Sequence, residues 1–404
     1  MRAYKYRIYP TNRQEELLQF TLNRCRWLYN TALQQRKDAY KSLAQKSVSY
    51  YEQKRELPLI KDEFPEYAKI YSQVLQDVMR RVELSFQGFF RRIKTDRGAP
   101  GYPRFQGEER YDSFTYPQSG FSFTKDKRRI ALSKIGLVKI KFHRQIPAEA
   151  QIKTCSIKRE GKQWHIVFSC KFANPTPKKK IVANVIGIDL GLTNFAVLSN
   201  GEEIANPKYL KRSEIKLKEI QSKYFKGKSK KVRRKLGNLH RKIANQRKDF
   251  QHKLSRKLVD TFDLIAYEDL KVKQMIEDNK YNLQKHISDA SWGTFISMLK
   301  YKAENAGTFC VAVSPKGTTQ KCSNCSEIVA KTLSERSHKC PSCGFEATRD
   351  VNAALNIHKL GINLVGKSVC PAMVHPFLSS EAPPFRVGVV HTANVKRKST
   401  LSIL

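Results

Sequence analysis

Two short cysteine motifs constrain the fold of this chain more than any other feature. Cys322 and Cys325 form one CxxC pair, Cys340 and Cys343 form a second, and fourteen residues separate the two pairs. This spacing is close to that of a four-cysteine zinc site. Four thiolates complete the tetrahedral coordination of Zn²⁺ and leave no position for water, so we predict one structural zinc ion in a small ribbon.

The other five cysteines are scattered along the chain, which is not the pattern of a disulfide framework. They are Cys25, Cys155, Cys170, Cys310 and Cys370. We interpret them as single thiols in a reducing cytoplasm. His338 lies close to the second cysteine pair, and we do not expect it to bind the metal.

The charge of the chain predicts its partner. Lys and Arg total 76 against 36 Asp and Glu, a formal net charge of +40 in 404 residues. Such a surface repels itself unless a polyanion neutralises it, and nucleic acid is the expected polyanion. The sequence contains no run of about 18 apolar residues that could span a membrane. Its first residues, MRAYKYRIYP, lack the apolar segment of a secretory signal. We therefore predict a cytoplasmic, nucleic-acid-binding protein without a membrane partner.

The first part of the chain predicts a strand followed by helices. Residues 4–9 alternate in hydrophobicity, and Thr11 with Gln14 forms a capping box at the start of a helix. Helical periodicity continues to about Lys94. The first helix carries one apolar stripe, formed by Leu18, Leu22, Cys25, Tyr29 and Leu33.

After the helical segment, the pattern changes first to that of β-strands and then to that of alternating strands and helices. Short alternating runs in residues 113–172 predict a small β-barrel, which the first strand can join. A linker at 174–180 precedes an α/β region at 182–361, where strands and helices alternate. After Gly361 the sequence shows no sustained periodicity of apolar residues, which predicts a disordered tail.

Acidic residues interrupt three segments of the α/β region. Asp189 lies in the strand pair VIGIDLGLTNFAVL, Glu268 and Asp269 end the strand LIAYED, and Asp350 opens a helix. Each has an ordinary explanation, as a turn cap, a solvent-facing strand end or a partner of the helix dipole. Alternation puts Glu268 and Asp269 on opposite faces, so only one can join Asp189. The pattern alone does not choose between them.

Together, these acids favour a metal-dependent reaction. Clustered carboxylates raise one another's pKa unless cations neutralise them. Hard divalent cations such as Mg²⁺ do so, and two such ions can promote hydrolysis of a phosphodiester. If the acids converge, the sequence predicts cleavage of a nucleic-acid strand.

A basic helical stretch lies between the first two acidic segments. Residues 211–260 contain 19 Lys or Arg against 4 Asp or Glu. A charge run is usually a solvated helix face, but this imbalance is too large for internal ion pairing. We predict that a pair of helices binds nucleic acid here, through phosphate contacts and one stacking ring. The candidate contact residues are Asn245, Arg247, Phe250, His252 and Lys253.

These motifs, in this order, resemble the TnpB proteins of bacterial insertion-sequence elements, which are similar to the compact type V CRISPR nucleases. The resemblance rests on IGIDLGLTNFAVLSNG, NQRKDFQHKLS, LIAYEDL, SWGTFISMLKYKA, the two CxxC pairs and RDVNAALNI, with YKYRIYPTNRQEELL, RCRWLYNTAL and GYPRF earlier in the chain. It covers roughly residues 1–361.

The resemblance implies a multidomain α+β fold. A wedge-like β-barrel (1–10 and 96–180) would carry a helical recognition insertion (11–95). An RNase H-like, or RuvC, nuclease core (181–314 and 346–361) would contain the four-cysteine zinc ribbon (315–345). Residues 362–404 would form the disordered tail.

The resemblance also implies the chemistry. It maps the catalytic, Mg²⁺-binding carboxylates onto Asp189, Glu268 and Asp350, and so selects Glu268 over Asp269. It implies two Mg²⁺ ions, a guide RNA from the transposon end, and cleavage of double-stranded DNA beside a short target-adjacent motif. Two departures are visible, because the family often has Asp at position 348 and Gly at position 326, where this chain has Thr348 and Ser326.

Three other functions remain open at this point. A non-cleaving DNA-binding regulator of transposition should lack one of the acids, and all three are present. A transposase that joins DNA ends uses the same class of fold, so fold alone does not exclude it. A structural RNA-binding protein would leave the three acids without a role.

Overall fold

The computed structural model describes residues 1–41, 47–95, 101–173, 181–277, 283–332 and 335–369. Its contacts divide the chain into two compact units. The first contains Met1–Pro177 and Ser213–Asn245, and the second contains Lys178–Arg212 and Gln246–Leu404. Of the helices in the described ranges, none is both long and apolar enough to cross a lipid bilayer.

The first half of the chain forms a strand, a helical segment and six further strands, in the predicted order. The elements are β1 (Arg2–Tyr9), α1 (Asn12–Lys41), α2 (Tyr50–Arg55), α3 (Leu57–Glu63), a 3-10 turn (Pro65–Lys69), α4 (Ser72–Lys94), β2 (Ser113–Tyr116), β3 (Phe121–Phe123), β4 (Arg129–Leu132), β5 (Gly136–Lys141), β6 (Gln151–Glu160) and β7 (Gln163–Lys171).

These seven strands form one antiparallel sheet in the order β2-β6-β7-β1-β5-β4-β3. Strand β1 pairs with both β5 and β7, which confirms that the first strand joins this sheet. The capping box of α1 is present, since the Thr11 amide donates to Gln14 Oε1 at 3.1 Å. All five residues of the predicted α1 stripe are buried. Among the described residues β2 and β3 end the strand order, so closure into a barrel stays a prediction.

The second half of the chain begins with three strands and continues with alternating helices and strands. The elements are β8 (Val185–Leu190), β9 (Asn194–Leu198), β10 (Glu203–Ala205), α5 (Tyr209–Arg212), α6 (Glu214–Gly227), α7 (Lys230–Thr261), β11 (Leu264–Glu268), α8 (Val272–Glu277), α9 (Gln284–Ala290), α10 (Trp292–Ala306), β12 (Phe309–Val313), β13 (Ser337–Lys339), β14 (Glu346–Thr348) and α11 (Arg349–Val369).

The second unit is built on a mixed five-stranded sheet in the order β10-β9-β8-β11-β12. Strands β8, β11 and β12 are parallel, whereas β9 and β10 continue from β8 as an antiparallel meander. All five residues of β11 are buried, as expected for a central parallel strand that is covered on both faces.

Residues 213–245 lie in the first unit, whereas the nuclease core that the resemblance implies, 181–314 and 346–361, includes them, and its bounds stay a prediction. Specific side chains hold this segment to the first unit. Arg233 Nη2 lies 2.5 Å from Glu109 Oε2, and the Arg241 guanidinium lies against Gly161 in the turn between β6 and β7. These contacts join distant parts of the chain, so local periodicity did not reveal them.

Helix α11 approaches the second sheet so closely that only glycine fits at the contact. A Cβ atom on Gly187 of β8 would lie 2.2 Å from the Ala354 carbonyl oxygen and 2.5 Å from the His358 amide nitrogen. A Cβ atom on Gly361 would lie 2.4 Å from the Cβ of Ala266 in β11. Both glycines are therefore packing residues.

The predicted start of a disordered tail after Gly361 is wrong in its position. Helix α11 continues to Val369, and Val365 is buried. Gly361 does not end the helix, because its missing side chain makes room for Ala266. The rest of the predicted tail, 370–404, and the predicted linker 174–180 lie outside the described residues.

Each cysteine pair is closed by a tight turn. The Ser326 amide donates to the Cys322 carbonyl at 2.9 Å, and the Gly344 amide donates to the Cys340 carbonyl at 3.0 Å. Ser326 has φ +70° and Gly344 has φ +71°. This left-handed conformation costs a residue with a Cβ atom about 1–2 kcal/mol. It gives a physical reason why glycine suits position 326.

We expect Gly187→Ala to destabilise the second unit by about 1–3 kcal/mol, because the new methyl group must displace the backbone of α11. Thermal unfolding measures the change. Gly293→Ala in α10 is the matched control, since no atom of the described residues lies within 4 Å of the place its methyl group would take, and helix propensity favours alanine. Equal melting temperatures for the two variants would contradict the close approach.

We expect Ser326→Gly to stabilise the first cysteine turn by about 1 kcal/mol by relieving the left-handed strain. Zinc retention against a competing chelator should improve severalfold. Gly344→Ser, the equivalent position of the second turn, should have the opposite effect. Weaker zinc retention in Ser326→Gly would contradict this account.

Candidate active site and metal centre

Asp189 and Glu268 lie at the same level on neighbouring parallel strands. Ile188 of β8 pairs with Tyr267 of β11, so the two acids that follow these residues are adjacent and share one face of the sheet. Glu268 is only 6% exposed, and Asp189 is half-buried. Both acids stand near the carboxyl ends of their strands.

Asp269 points away from this pair. Its side chain is exposed, and its amide donates to the Val313 carbonyl of β12 at 2.9 Å. The two consecutive acids thus occupy opposite faces of the strand, as alternation predicts. Of the two, Glu268 is the one on the same face as Asp189.

Asp350 lies in the first turn of α11, and its charge acts on Asp189. Burial raises the pKa of Asp189 well above its ordinary value, the charges of Glu268 and Asp350 raise it further, and Arg349 opposes them. Arg349 Nε lies 3.2 Å from Asp350 Oδ1. The charges of Glu268, Asp350 and Arg349 therefore all act on Asp189.

Glu268 has one defined hydrogen-bond donor. The hydroxyl of Thr318, which is 3% exposed, lies 2.5 Å from Glu268 Oε1. Burial raises the pKa of Glu268, and this hydrogen bond acts in the opposite direction. The sequence did not reveal Thr318, because a threonine in a loop carries no distinguishing pattern.

The residue before α11 caps this helix. The Val351 amide donates to Thr348 Oγ1 at 3.2 Å. An aspartate side chain can accept the same hydrogen bond. Threonine at this position thus preserves the geometry of the helix start beside Asp350.

The four clustered cysteines form a site suited to zinc. Their sulfur atoms all lie within 4.8 Å of one another, with Cys322 and Cys343 at 3.6 Å and Cys325 and Cys340 at 3.5 Å. A tetrahedral Zn²⁺ ion with Zn–S bonds of about 2.3 Å separates its sulfurs by about 3.8 Å. The Phe345 amide lowers the pKa of Cys343 to about 6, which favours the thiolate, whereas the pKa of Cys322 and that of Cys325 are raised in the metal-free cluster.

Among the residues that the structure describes, this is the one group of three or more potential ligands packed so tightly. The three acids are not among the groups packed this tightly in the described residues. His338 is buried and contacts Lys331, and it is not part of the sulfur cluster.

The predicted nucleic-acid contacts differ in their surroundings. Arg247 forms an ion pair with Asp289, and the ring of Phe250 packs edge-on against Phe195 at 5.0 Å. Both side chains are therefore engaged by the second unit itself.

The other three candidates are exposed on α7. They are Asn245, His252 and Lys253. Lys253 Nζ lies 2.7 Å from the exposed Asp249, and the backbone carbonyl of His252 accepts a hydrogen bond from Lys302. Their exposure is compatible with the predicted contacts.

Three family models match the chain. One described as "Probable transposase" matches residues 167–279, one described as "Cas12f1-like, TNB domain" matches 292–357, and one described as "Helix-turn-helix domain" matches 1–46. In the described part of this last range, the structure has strand β1 and the single helix α1.

Similar proteins cover most of the chain. A protein of Streptomyces pristinaespiralis named "Putative RNA-guided DNA endonuclease" is 33% identical over 93% of this chain and 92% of its own length. "Putative RNA-guided DNA endonuclease InsQ" of Escherichia coli (strain K12) is 27% identical over 89% and 92%. "CRISPR-associated endodeoxyribonuclease Cas12f1" of Sulfoacidibacillus thermotolerans is 27% identical over 57% and 59%. The chain therefore belongs to the TnpB family of RNA-guided nucleases.

Proposed function

We propose that this protein is a guide-RNA-directed, Mg²⁺-dependent endonuclease that cleaves double-stranded DNA beside a short target-adjacent motif. The observation that carries the proposal is that Asp189 and Glu268 lie side by side at the carboxyl ends of β8 and β11, and that the charge of Asp350 acts on Asp189. Burial raises the pKa of Asp189 and of Glu268, so their ionised forms are costly unless cations are bound beside them.

The topology of the second unit supports an RuvC-like core. The central strand β8 continues into an antiparallel meander on one side and is extended by parallel strands β11 and β12 on the other. This is the arrangement expected of an RNase H-like nuclease. Helix α11 begins with the proposed third acid, Asp350, and packs against β8, the strand that carries Asp189.

The donor set fits Mg²⁺. Carboxylate oxygens are the ligands that this hard cation prefers. A site for two ions about 3.5–4 Å apart needs its carboxylates spread around two points. When bound, the two ions would activate a water molecule and stabilise the leaving oxygen of a phosphodiester. Asp189, Glu268 and Asp350 would hold them.

The charge of the chain supports nucleic-acid partners. The exposed basic residues of α6 and α7 repel one another, and binding to the phosphates of a nucleic acid would neutralise their charge. Asn245, His252 and Lys253 are proposed to contact the guide RNA or target DNA. Arg247 and Phe250 would contribute indirectly, by holding α7 in place through Asp289 and Phe195.

The four cysteines would hold one structural Zn²⁺. Their geometry matches tetrahedral coordination. Because all four positions are filled by sulfur, the zinc would stabilise the ribbon and take no part in hydrolysis.

A transposase is the second candidate, because one of the matching family models carries that description. A transposase would join DNA ends and work without RNA. A non-cleaving regulator of transposition would need only to bind. A transposase thus differs from the proposed nuclease in needing no RNA and in producing joined DNA, and a regulator differs in producing no cleaved DNA.

We expect Asp189→Asn, Glu268→Gln and Asp350→Asn each to reduce DNA cleavage by more than about a hundredfold. Mutation of a residue that only hydrogen-bonds to a metal ligand typically lowers metal affinity or activity about 10–100-fold. Loss of a ligand itself should lower activity further. Guide-RNA affinity should be unchanged. Asp269→Asn is the matched control and should retain full activity, because Asp269 lies on the opposite face. Full cleavage by any of the first three variants would refute the site assignment.

We expect the protein, purified from cells that carry its native flanking DNA, to retain one discrete RNA that ends in variable flanking sequence. Sequencing the bound RNA tests this, and that RNA then directs a Mg²⁺-dependent cleavage assay. Only heterogeneous RNA, together with DNA joining that needs no RNA, would favour the transposase.

A further inference from the structure

We infer that Thr318 is a positioning residue for Glu268, and that Asn352 and Asn356 of α11 hold the Thr318 loop in place. The zinc ribbon would thereby help to shape the Mg²⁺ site. This inference rests on the proposed function and assigns roles to residues outside the acid triad.

The hydrogen bond to Glu268 is short and shielded from water. Thr318 Oγ1 lies 2.5 Å from Glu268 Oε1, and both residues are buried. The same hydroxyl lies 3.2 Å from the Pro315 carbonyl oxygen, but it has one proton to donate. The carboxylate is the stronger acceptor because it is charged.

This hydrogen bond would fix the orientation of the Glu268 carboxylate and leave most of its lone pairs available to a metal ion. An ionised carboxylate has about four lone-pair sites, and Thr318 occupies one of them. The remaining sites stay open for a cation. Groups of this kind, which orient a metal ligand, typically change metal affinity 10–100-fold when they are removed.

The loop that carries Thr318 is held by α11. Asn356 Nδ2 lies 2.8 Å from the Thr318 carbonyl oxygen and 2.7 Å from the Lys321 carbonyl oxygen. Asn352 Nδ2 lies 2.7 Å from the same Lys321 oxygen. Two amide side chains, one turn apart, thus satisfy the backbone of a single short loop.

The same helix also holds the first cysteine turn. The Ser323 amide donates to Asn352 Oδ1 at 2.8 Å, and Lys359 Nζ contacts the Ser323 carbonyl. Ser323 directly follows the predicted zinc ligand Cys322, and Asn352 is fully buried. Asn352 therefore connects the zinc ribbon to the loop that positions Glu268.

Helix α11 brings these contacts and the third acid together. Asp350 lies two residues before Asn352 on the helix. A shift of the loop relative to α11 would therefore move Glu268 relative to Asp350. We infer that the loop contacts set the spacing between these two carboxylates, and that the affinity for divalent metal depends on them.

The first test compares Thr318→Val with Thr318→Ser in the protein assembled with its RNA. Valine keeps the shape but removes the hydroxyl, whereas serine keeps the hydroxyl. Mn²⁺ binding is measured by electron paramagnetic resonance, with the Asp189→Asn complex as the background for Mn²⁺ held by RNA. The Mg²⁺ concentration for half-maximal cleavage is measured in parallel.

We expect Thr318→Val to weaken Mn²⁺ binding about 10–100-fold and to raise the Mg²⁺ requirement similarly. Thr318→Ser should stay within a few-fold of the unchanged protein, and RNA affinity should not change. Unchanged Mn²⁺ affinity in the valine variant, or an equal defect in the serine variant, would overturn the inference.

The second test addresses the helix contact. Asn356→Ala removes the hydrogen bonds to the loop without touching an acid. It should also weaken Mn²⁺ binding, and its effect should not add to that of Thr318→Val, because both act through the same loop. Full additivity would contradict the proposed coupling.

The readouts separate this inference from the proposed function. If the unchanged protein binds RNA but cleaves no DNA, the proposed function fails. The Mn²⁺ comparison between the valine and serine variants still decides whether Thr318 positions Glu268 for metal binding.

Discussion

The backbone of helix α11 lies against strand β8 with no side chain between them at Gly187. This approach fixes where the first turn of the helix stands above the sheet. The charge of Asp350 in that turn acts on Asp189, and Asn352 and Asn356 hold the loop before the cysteine cluster. One packing contact therefore sets the position of an acid and of the residues that organise its surroundings.

The price of this arrangement is electrostatic. Burial raises the pKa of Asp189 and of Glu268 in the folded state, and the charges of Glu268 and Asp350 raise that of Asp189 further. The folded protein then binds protons more tightly than the unfolded chain, so its stability falls as the pH rises from the ordinary carboxylate range through the raised values. Metal ions bound among the acids would offset this loss at neutral pH. The ionised carboxylates of Asp189 and Glu268 thus lower the stability of the empty site, although they are the groups that would bind the metal.

The sequence predicted features that depend on local pattern. The order of strands and helices, the α1 capping box, the entry of β1 into the first sheet and the paired cysteine motifs all follow from spacing or residue type. Features that depend on distant contacts were not visible. Gly361 looked like the end of a pattern because its packing partner lies in another strand. Arg233 pairs with Glu109, a contact between the segment 213–245 and a distant part of the first unit. The ring of Phe250 packs against Phe195. Thr318 has a role only because it lies beside Glu268.

The contact at Gly187 also governs how the molecule can be made. Gly187 and His358 lie far apart in the chain, so β8 is synthesised long before the helix that covers it. Folds that depend on such distant contacts form slowly, since a long loop must close before the contact is gained. A ribosome that stops before α11 releases a chain with two of the three acids, an uncovered sheet and no third acid. Under the proposed function, such incomplete chains would not cleave DNA, because the site needs a carboxylate on a helix that is synthesised late.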